Sequence, residues 1–418
     1  MSDLRVVGEI PVADVKTIRE AFPAMLRRHH GQAVAYLDGP GGTQVPTSVV
    51  DRMTQYLFRH NANTHWRYPT SAETDAMILQ ARELLATFVN GAPDEIAFGA
   101  NMTSLTFHVA RALGRGWGKG DEIVVTELDH HGNVAPWRAL ERERGMRVRR
   151  TRMRPEDGTL DIDDLERHIN SHTRLVAIGA ASNALGTIPD VRRCVAAARA
   201  HRTLVFVDAV HYAPHVLIDV KTLDCDFLAM SAYKFYGPHI GVLWGRRDLL
   251  QKLDVPKLDP APDDIPERME TGTQNHEGIV GAGAAIEFLA SLAQDPDLST
   301  RAALARTFTQ LHERGRTLFR QLWDGLAQVP GVRRYGLPPN ASRTPTLAFR
   351  VDGCSSDDVA AALAARGLFV SHGDFYAATV IERLGAQPDG VVRVGCSAYT
   401  TSEEIDRVIR AVEEIARD

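Results

Sequence analysis

A single lysine stands between two apolar runs in "FLAMSAYKFYGPHIGVLWGR", residues 227–246, and four other segments end in polar residues of complementary chemistry. An amine held in a partly desolvated pocket has a lowered pKa and forms a Schiff base with an aldehyde, which is the chemistry that Lys234 suggests. In "LVFVDAVH" a carboxylate, Asp208, closes an apolar run, with His211 three positions on. A buried carboxylate needs a cationic partner. "TELDHHGNVAPW" places Glu127, His130, His131 and Asn133 after another run, and "AASNALGT" places Asn183 after a third. "FGANMTS" leads through Thr103 and Ser104 into a helix, whose first N–H groups favour an anion such as phosphate. Each piece alone also fits ordinary cap or turn chemistry. Together they describe a ligand with an aldehyde, a pyridine ring and a phosphate, which is pyridoxal phosphate. Lys234 would hold the aldehyde, Asp208 the ring nitrogen and the Thr103 turn the phosphate, with an imidazole stacked on the ring.

The elements that must position these residues are legible as a pattern. Between residues 95 and 245, short apolar runs without polar alternation ("EIAFG", "EIVVTELDH", "RLVAIGAAS", "TLVFVDAV", "DFLAMSA", "IGVLWG") alternate with helical stretches. Such strands are covered on both faces, which predicts an α/β fold with a mainly parallel sheet flanked by helices. Ligands in such sheets sit beyond the strands' carboxyl ends, where the polar residues fall. "RVRRTRM", residues 147–153, alternates charge with short apolar side chains and predicts a solvated edge strand. A Pro- and Asp-rich stretch, residues 254–268, breaks the pattern as a loop. A Gly/Ala-rich helix and a long helix follow. The end of the chain reads as a small α+β domain on an antiparallel sheet, with strands in "PTLAFRVD", "LFVS" and "VVRVGCSAY". Thr401 with Glu404, and Thr70 with Glu73, are predicted capping boxes. The expected division is an N-terminal segment (1–30), a large cofactor-binding domain (31–265), a connecting segment and helix (266–298) and a small C-terminal domain (299–418).

Composition bounds the setting. The 418 residues carry a formal charge of −5 and are 44% hydrophobic, enough for two domains with sizeable cores. No basic face or tail points to nucleic acid or an anionic membrane, and no apolar run reaches the roughly 20 residues that span a bilayer. Cys194, Cys225, Cys354 and Cys396 are scattered singly, which fits a reducing cytoplasm. The first twenty residues carry acids and lack the apolar core of a signal peptide or anchor. A metal-dependent hydrolase using His130 and His131, or His211 and His215, finds no HExxH and no second carboxylate cluster, so no metal site is expected.

The order and spacing of "YLDGPGGTQVPTSVVDRM", "ELDHHGNVAPW", "SNALGT", "VDAVH", "SAYKFYGP" and "ETGTQN" resemble the class V aminotransferase family of fold type I pyridoxal-phosphate enzymes. The resemblance is to its cysteine desulfurase and selenocysteine lyase branch, and it covers nearly the whole chain. It implies that Lys234 is the Schiff-base lysine, that Asp208 pairs with the pyridinium nitrogen and that His130 stacks on the ring. Asn183 would contact the phenolic oxygen, helped by His211 where the family usually has glutamine. Ser231, with Met102 and Thr103, would hold the phosphate, while Tyr233 replaces the histidine usual before the lysine. Thr273 would reach the phosphate of a partner subunit, implying a homodimer with shared sites. His65, with Trp66 and Arg67, would reach the neighbouring site and select substrate. Arg393 aligns with the arginine that grips the substrate α-carboxylate.

One departure bears on the reaction. Where desulfurases carry a nucleophilic cysteine in an "RxGxHC"-like loop, this chain has "FVSHGDFYAATVIERLG", with Ser371 at the arginine position and Tyr376 at the cysteine position. No thiolate forms there to accept sulfur. Asp374 and Tyr376 add an acid and a hydroxyl, which suggests a polar or cationic substrate side chain. What remains supports any reaction of an amino acid that starts with an external aldimine and labilises a bond at Cα. The best-motivated reaction is C–S, C–Se or other β-elimination. Transamination and epimerisation are the alternatives, and a non-catalytic scaffold is a remote one.

Overall fold

The computed structural model describes residues 12–417. The first part of the N-terminal segment, residues 1–11, and the final residue lie outside the described residues.

Seven strands form the central sheet. In chain order they are β1 (Ile96–Gly99), β2 (Glu122–Thr126), β3 (Arg147–Thr151), β4 (Thr173–Gly179), β5 (Leu204–Asp208), β6 (Phe227–Ser231) and β7 (Gly241–Gly245). Their spatial order is β1-β7-β6-β5-β4-β2-β3. Only β7 runs antiparallel, pairing Gly241 with both Ser231 and Gly99. Side chains alternate across a strand, so a strand without polar positions feeds two cores. Val205 and Val207 of β5 join one cluster while Phe206 joins the other; Leu228 and Met230 of β6 divide from Phe227 and Ala229 in the same way. The expected edge strand is β3, paired only with β2, and Arg149 on it grips Glu122 with two bonds of 2.7 Å.

Four further strands, β8 (Val332–Tyr335), β9 (Thr346–Val351), β10 (Ser371–Gly373) and β11 (Val391–Gly395), make an antiparallel sheet in the order β8-β9-β11-β10. The helices Thr300–Ala327, Ser356–Ala365 and Ser402–Ile415 cover it, burying Leu322, Leu363 and Val408 against Leu347, Phe349 and Val392. Ala35 and Leu37 lie in this same core, because the short strand Ala35–Tyr36 pairs in parallel with Leu368–Phe369. A parallel bridge from Asp38 to Gly395 extends the contact to β11.

Three local expectations change. β8 was hidden by its polar "VRRY" sequence, since only Tyr335 in it is buried. The "LFVS" strand divides, its first half pairing with Ala35–Tyr36 and its second half joining β11 as β10. The Thr401–Glu404 capping box forms, whereas the Thr70–Glu73 box does not. The helix there begins at Pro69, whose fixed φ suits the first turn, and Glu73 bonds His60 at 2.6 Å instead.

Candidate active site

The carboxyl ends of β2, β4, β5 and β6 open onto a cavity of about 860 Å³. Thr103, His130, Asn183, Asp208, His211, Ser231, Tyr233 and Lys234 line it, joined from the C-terminal sheet by Arg393 and from the preceding loop by Phe375 and Tyr376. Lys234 sits in the turn after β6 with 8% of its surface exposed, and its Nζ donates to the Pro40 carbonyl. Burial, reinforced by the nearby Arg393 charge, pushes its pKa down to about 7. Asp208, the last residue of β5, accepts from the Val210 N–H at 2.9 Å, and burial pushes its carboxyl up to about 6.

Among the described residues that line this cavity, two have a buried polar atom without a partner: Asn183 Oδ1 and His211 Nδ1. Their other ends are fixed. Asn183 Nδ2 donates to the Phe375 carbonyl at 2.9 Å, and His211 Nε2 lies 2.9 and 3.0 Å from the Thr344 and Thr346 hydroxyls. Orphaned polar atoms cost free energy unless a ligand or water satisfies them, so this pair fits a polar group on a bound cofactor. Lys234 and Asp208 stand in the same cavity, and the residues present fit pyridoxal phosphate.

Helix Met102–Gly114 starts at the cavity wall, capped by Asn101, whose Oδ1 accepts from Ser104 N at 2.9 Å. Met102 N donates to Ser231 Oγ at 3.0 Å, tying the helix start to the end of β6. This close approach needs Gly241, since a Cβ there would lie 2.4 Å from the Asn101 carbonyl carbon. Tyr233 stacks on His239 with centroids 4.8 Å apart and planes within 13°. His239 also lines the cavity. His130 Nδ1 accepts from Gly132 N at 2.8 Å, and burial followed by the Lys234 charge lowers the imidazole to about 4. The ring is neutral and its free proton is on Nε2.

Sequence reasoning passed over Asp129. It accepts from Thr126 Oγ1 at 2.7 Å, Gly179 N at 2.9 Å and Asn133 Nδ2 at 2.8 Å, joining β2, β4 and the His130 turn. Burial raises its pKa to about 7. The signal was available as the acid directly before His130. Glu127, by contrast, pairs with Arg383 and accepts from Met153 N, which is structural work outside the cavity lining.

Arg393 is buried on β11, while Phe375 and Tyr376 both hold left-handed backbones, φ 55° and 57°. The His131 N–H donates to the Tyr376 carbonyl at 2.7 Å, and the Tyr376 ring, 73% exposed, lies 5.5 Å from that of His130. Asp374 is exposed and accepts from Tyr376 N at 2.9 Å; it does not line the cavity. Neither do Thr273, His65 and Arg67 of the same chain. Thr273 and His65 line a second cavity of about 820 Å³ with Trp66, Leu79 and Leu258, while Arg67 is exposed. None of the four cysteines lines the Lys234 cavity; Cys194, Cys225 and Cys396 are buried thiols pushed up to about 12 by desolvation. Among the described residues no group of three or more His, Cys, Asp or Glu is placed to hold a metal ion, and no helix is long and apolar enough to cross a membrane.

This fold and site define a pyridoxal-phosphate-dependent enzyme. Residues 35–408 match the family model described as aminotransferase class V, and the chain belongs to that family. It is similar to a cysteine desulfurase of Pectobacterium atrosepticum, 33% identical over 96% of this chain and 98% of the relative. A probable cysteine desulfurase of Staphylococcus epidermidis is 31% identical, over 96% of each chain. Among solved structures, the apo cysteine desulfurase of Thermococcus onnurineus NA1 superposes with a TM-score of 0.87 at 27% identity, covering 98% of this chain and all of that one. A cysteine desulfurase of Escherichia coli gives 0.83 at 28% identity, covering 97% and 99%.

Proposed function

We propose that this chain is an amino-acid lyase, cleaving a C–S, C–Se or other bond at the substrate's Cβ and releasing the product directly rather than passing sulfur to a thiol of its own. The observation that carries the reading is the Phe375–Tyr376 turn in the wall of the Lys234 cavity, where a desulfurase-like chain would present cysteine. Bound pyridoxal phosphate supplies the electron sink for a bond broken at Cα. Lys234, with a pKa of about 7, is suited to hold and return a proton near neutral pH. Asp208 would offer a carboxylate to the ring nitrogen, His130 a neutral ring face, and Asn183 with His211 their orphaned polar atoms. Met102, Thr103, Ser231 and Tyr233, which line the cavity, would hold the phosphate, and Arg393 would supply the cation for the α-carboxylate. Thr273, His65 and Arg67, away from the Lys234 cavity of their own chain, suit a role at a partner's site. The working form we infer is therefore a cytoplasmic homodimer.

An amino-acid panel tests the reaction, with sulfide or selenide, pyruvate, ammonia and solvent deuterium at Cα each measured separately. Pyruvate with sulfide from a cysteine derivative, lost in Lys234→Ala, is the expected result. Deuterium entry without elimination would make it an epimerase, and an oxo-acid with a loaded amino cofactor would make it a transaminase. Catalytic persulfide on Cys354 or Cys396 would overturn direct release.

A further inference from the structure

The arginine assigned to the substrate carboxylate already holds one. Arg393 NH2 donates to Asp38 Oδ1 at 2.9 Å, its Nε to Ser371 Oγ at 3.1 Å and its NH1 to the Asn183 carbonyl at 2.9 Å. Ser371 Oγ in turn donates to the same Asp38 oxygen at 2.7 Å. Phe375 covers the guanidinium face at 4.0 Å. The two partners differ in access: the Arg393 side chain is 4% exposed and that of Asp38 41%.

The backbone beneath Asp38 is fixed. It bridges to Gly395, and its carbonyl accepts from Gly41 N and Gly42 N at 2.9 and 3.0 Å. Gly41 leaves room for the carboxylate, because a Cβ there would lie 2.0 Å from Asp38 Oδ2. The side chain is thus the movable part, with one resting place on Arg393 and solvent on its other side. A second carboxylate brought to Arg393 meets the first at like charge, which is unfavourable unless one of them leaves.

We propose that Asp38 is a resident competitor at Arg393, and that an amino-acid substrate binds by displacing its carboxylate. The proposal rests on the reading of Arg393 as the carboxylate-binding residue. It makes Asp38 a specificity residue: ligands without a carboxylate leave the pair closed, and ligands with one must open it. Ser371, standing where relatives were expected to carry arginine, is the hydroxyl that holds the competitor in place.

The test titrates the holoenzyme with L-alanine and with L-alaninamide, following the absorbance of the bound cofactor, and takes the ratio of the two Kd values. In Asp38→Asn the ratio should shift about ten-fold or more in favour of alanine, equivalent to about 1.4 kcal/mol. Ser371→Ala, which removes one donor to the Asp38 carboxylate, should shift it the same way by less, and carries the test if Asp38→Asn does not retain cofactor. A ratio that stays put in both variants, or moves toward the amide, overturns the competitor role while Arg393→Gln still abolishes the preference for carboxylate. A wild-type ratio in Arg393→Gln instead overturns the reading of Arg393, and the Asp38 role with it.

Discussion

Burial moves the two central ionisable groups toward their neutral forms from opposite sides. It lowers Lys234 to about 7 and raises Asp208 to about 6, so both change charge near neutral pH. Below about pH 7 the lysine is an ammonium without a lone pair; above it the amine is free. Loading of the apoprotein with pyridoxal phosphate, followed by its visible absorbance, should therefore quicken as pH rises from 6 to 8 and then level off. A profile flat across that range would mean that the lysine titrates elsewhere. Lys234 and Asp208 were legible in sequence because a lone charge beside an apolar run demands a reason. Asp38 and Phe375 were not, since what they do depends on Arg393, 355 and 18 positions away along the chain. Nothing in "YLDG" announces that contact.

At the scale of elements, one ion pair fastens a helix to the strand that leads into the Met102–Thr103 turn. Arg82 on the helix Pro69–Val89 donates to Glu270 at 2.7 Å and to the Ile96 carbonyl of β1 at 2.5 Å, and Glu270 accepts from Phe98 N at 2.8 Å. Both side chains are buried, at 8% and 9% exposure. Removing one member leaves the other charge uncompensated, so Glu270→Ala should lower unfolding stability by about 3–5 kcal/mol in denaturant titration. A loss below 1 kcal/mol would place the pair in water. The central strands were readable because two-sided burial leaves an unbroken apolar run. β8 was not, because a half-exposed strand of arginines resembles a loop, and the Thr70 cap failed because His60 competes for Glu73.

At the scale of the whole molecule, one hydrophobic core runs through both sheets. Tyr335, Ala348 and Val391 of the C-terminal sheet share it with Val176, Val207 and Met230 of the central one. The second cavity has exposed apolar residues at its rim, Trp66, Leu79 and Leu258, beside Thr273 and His65. A homodimer that covers them should run at twice the 46.0 kDa chain mass in light scattering, and Trp66→Asp should weaken it by ten-fold or more in dissociation constant. A wild-type monomer at micromolar concentration would remove the shared-site arrangement.

The strand Ala35–Tyr36 and the bridge at Asp38 find their partners only in Leu368–Phe369 and Gly395. On a ribosome adding about 5–20 residues per second, those partners follow Asp38 by roughly 20–70 s. Lys234 and Asp208 are made within that interval, and Arg393 follows Lys234 by 159 residues, roughly 8–30 s. The cavity wall is completed late: a chain released between Lys234 and Arg393 would contain Lys234 and Asp208 but neither Arg393 nor the strand β11 that Asp38 bridges.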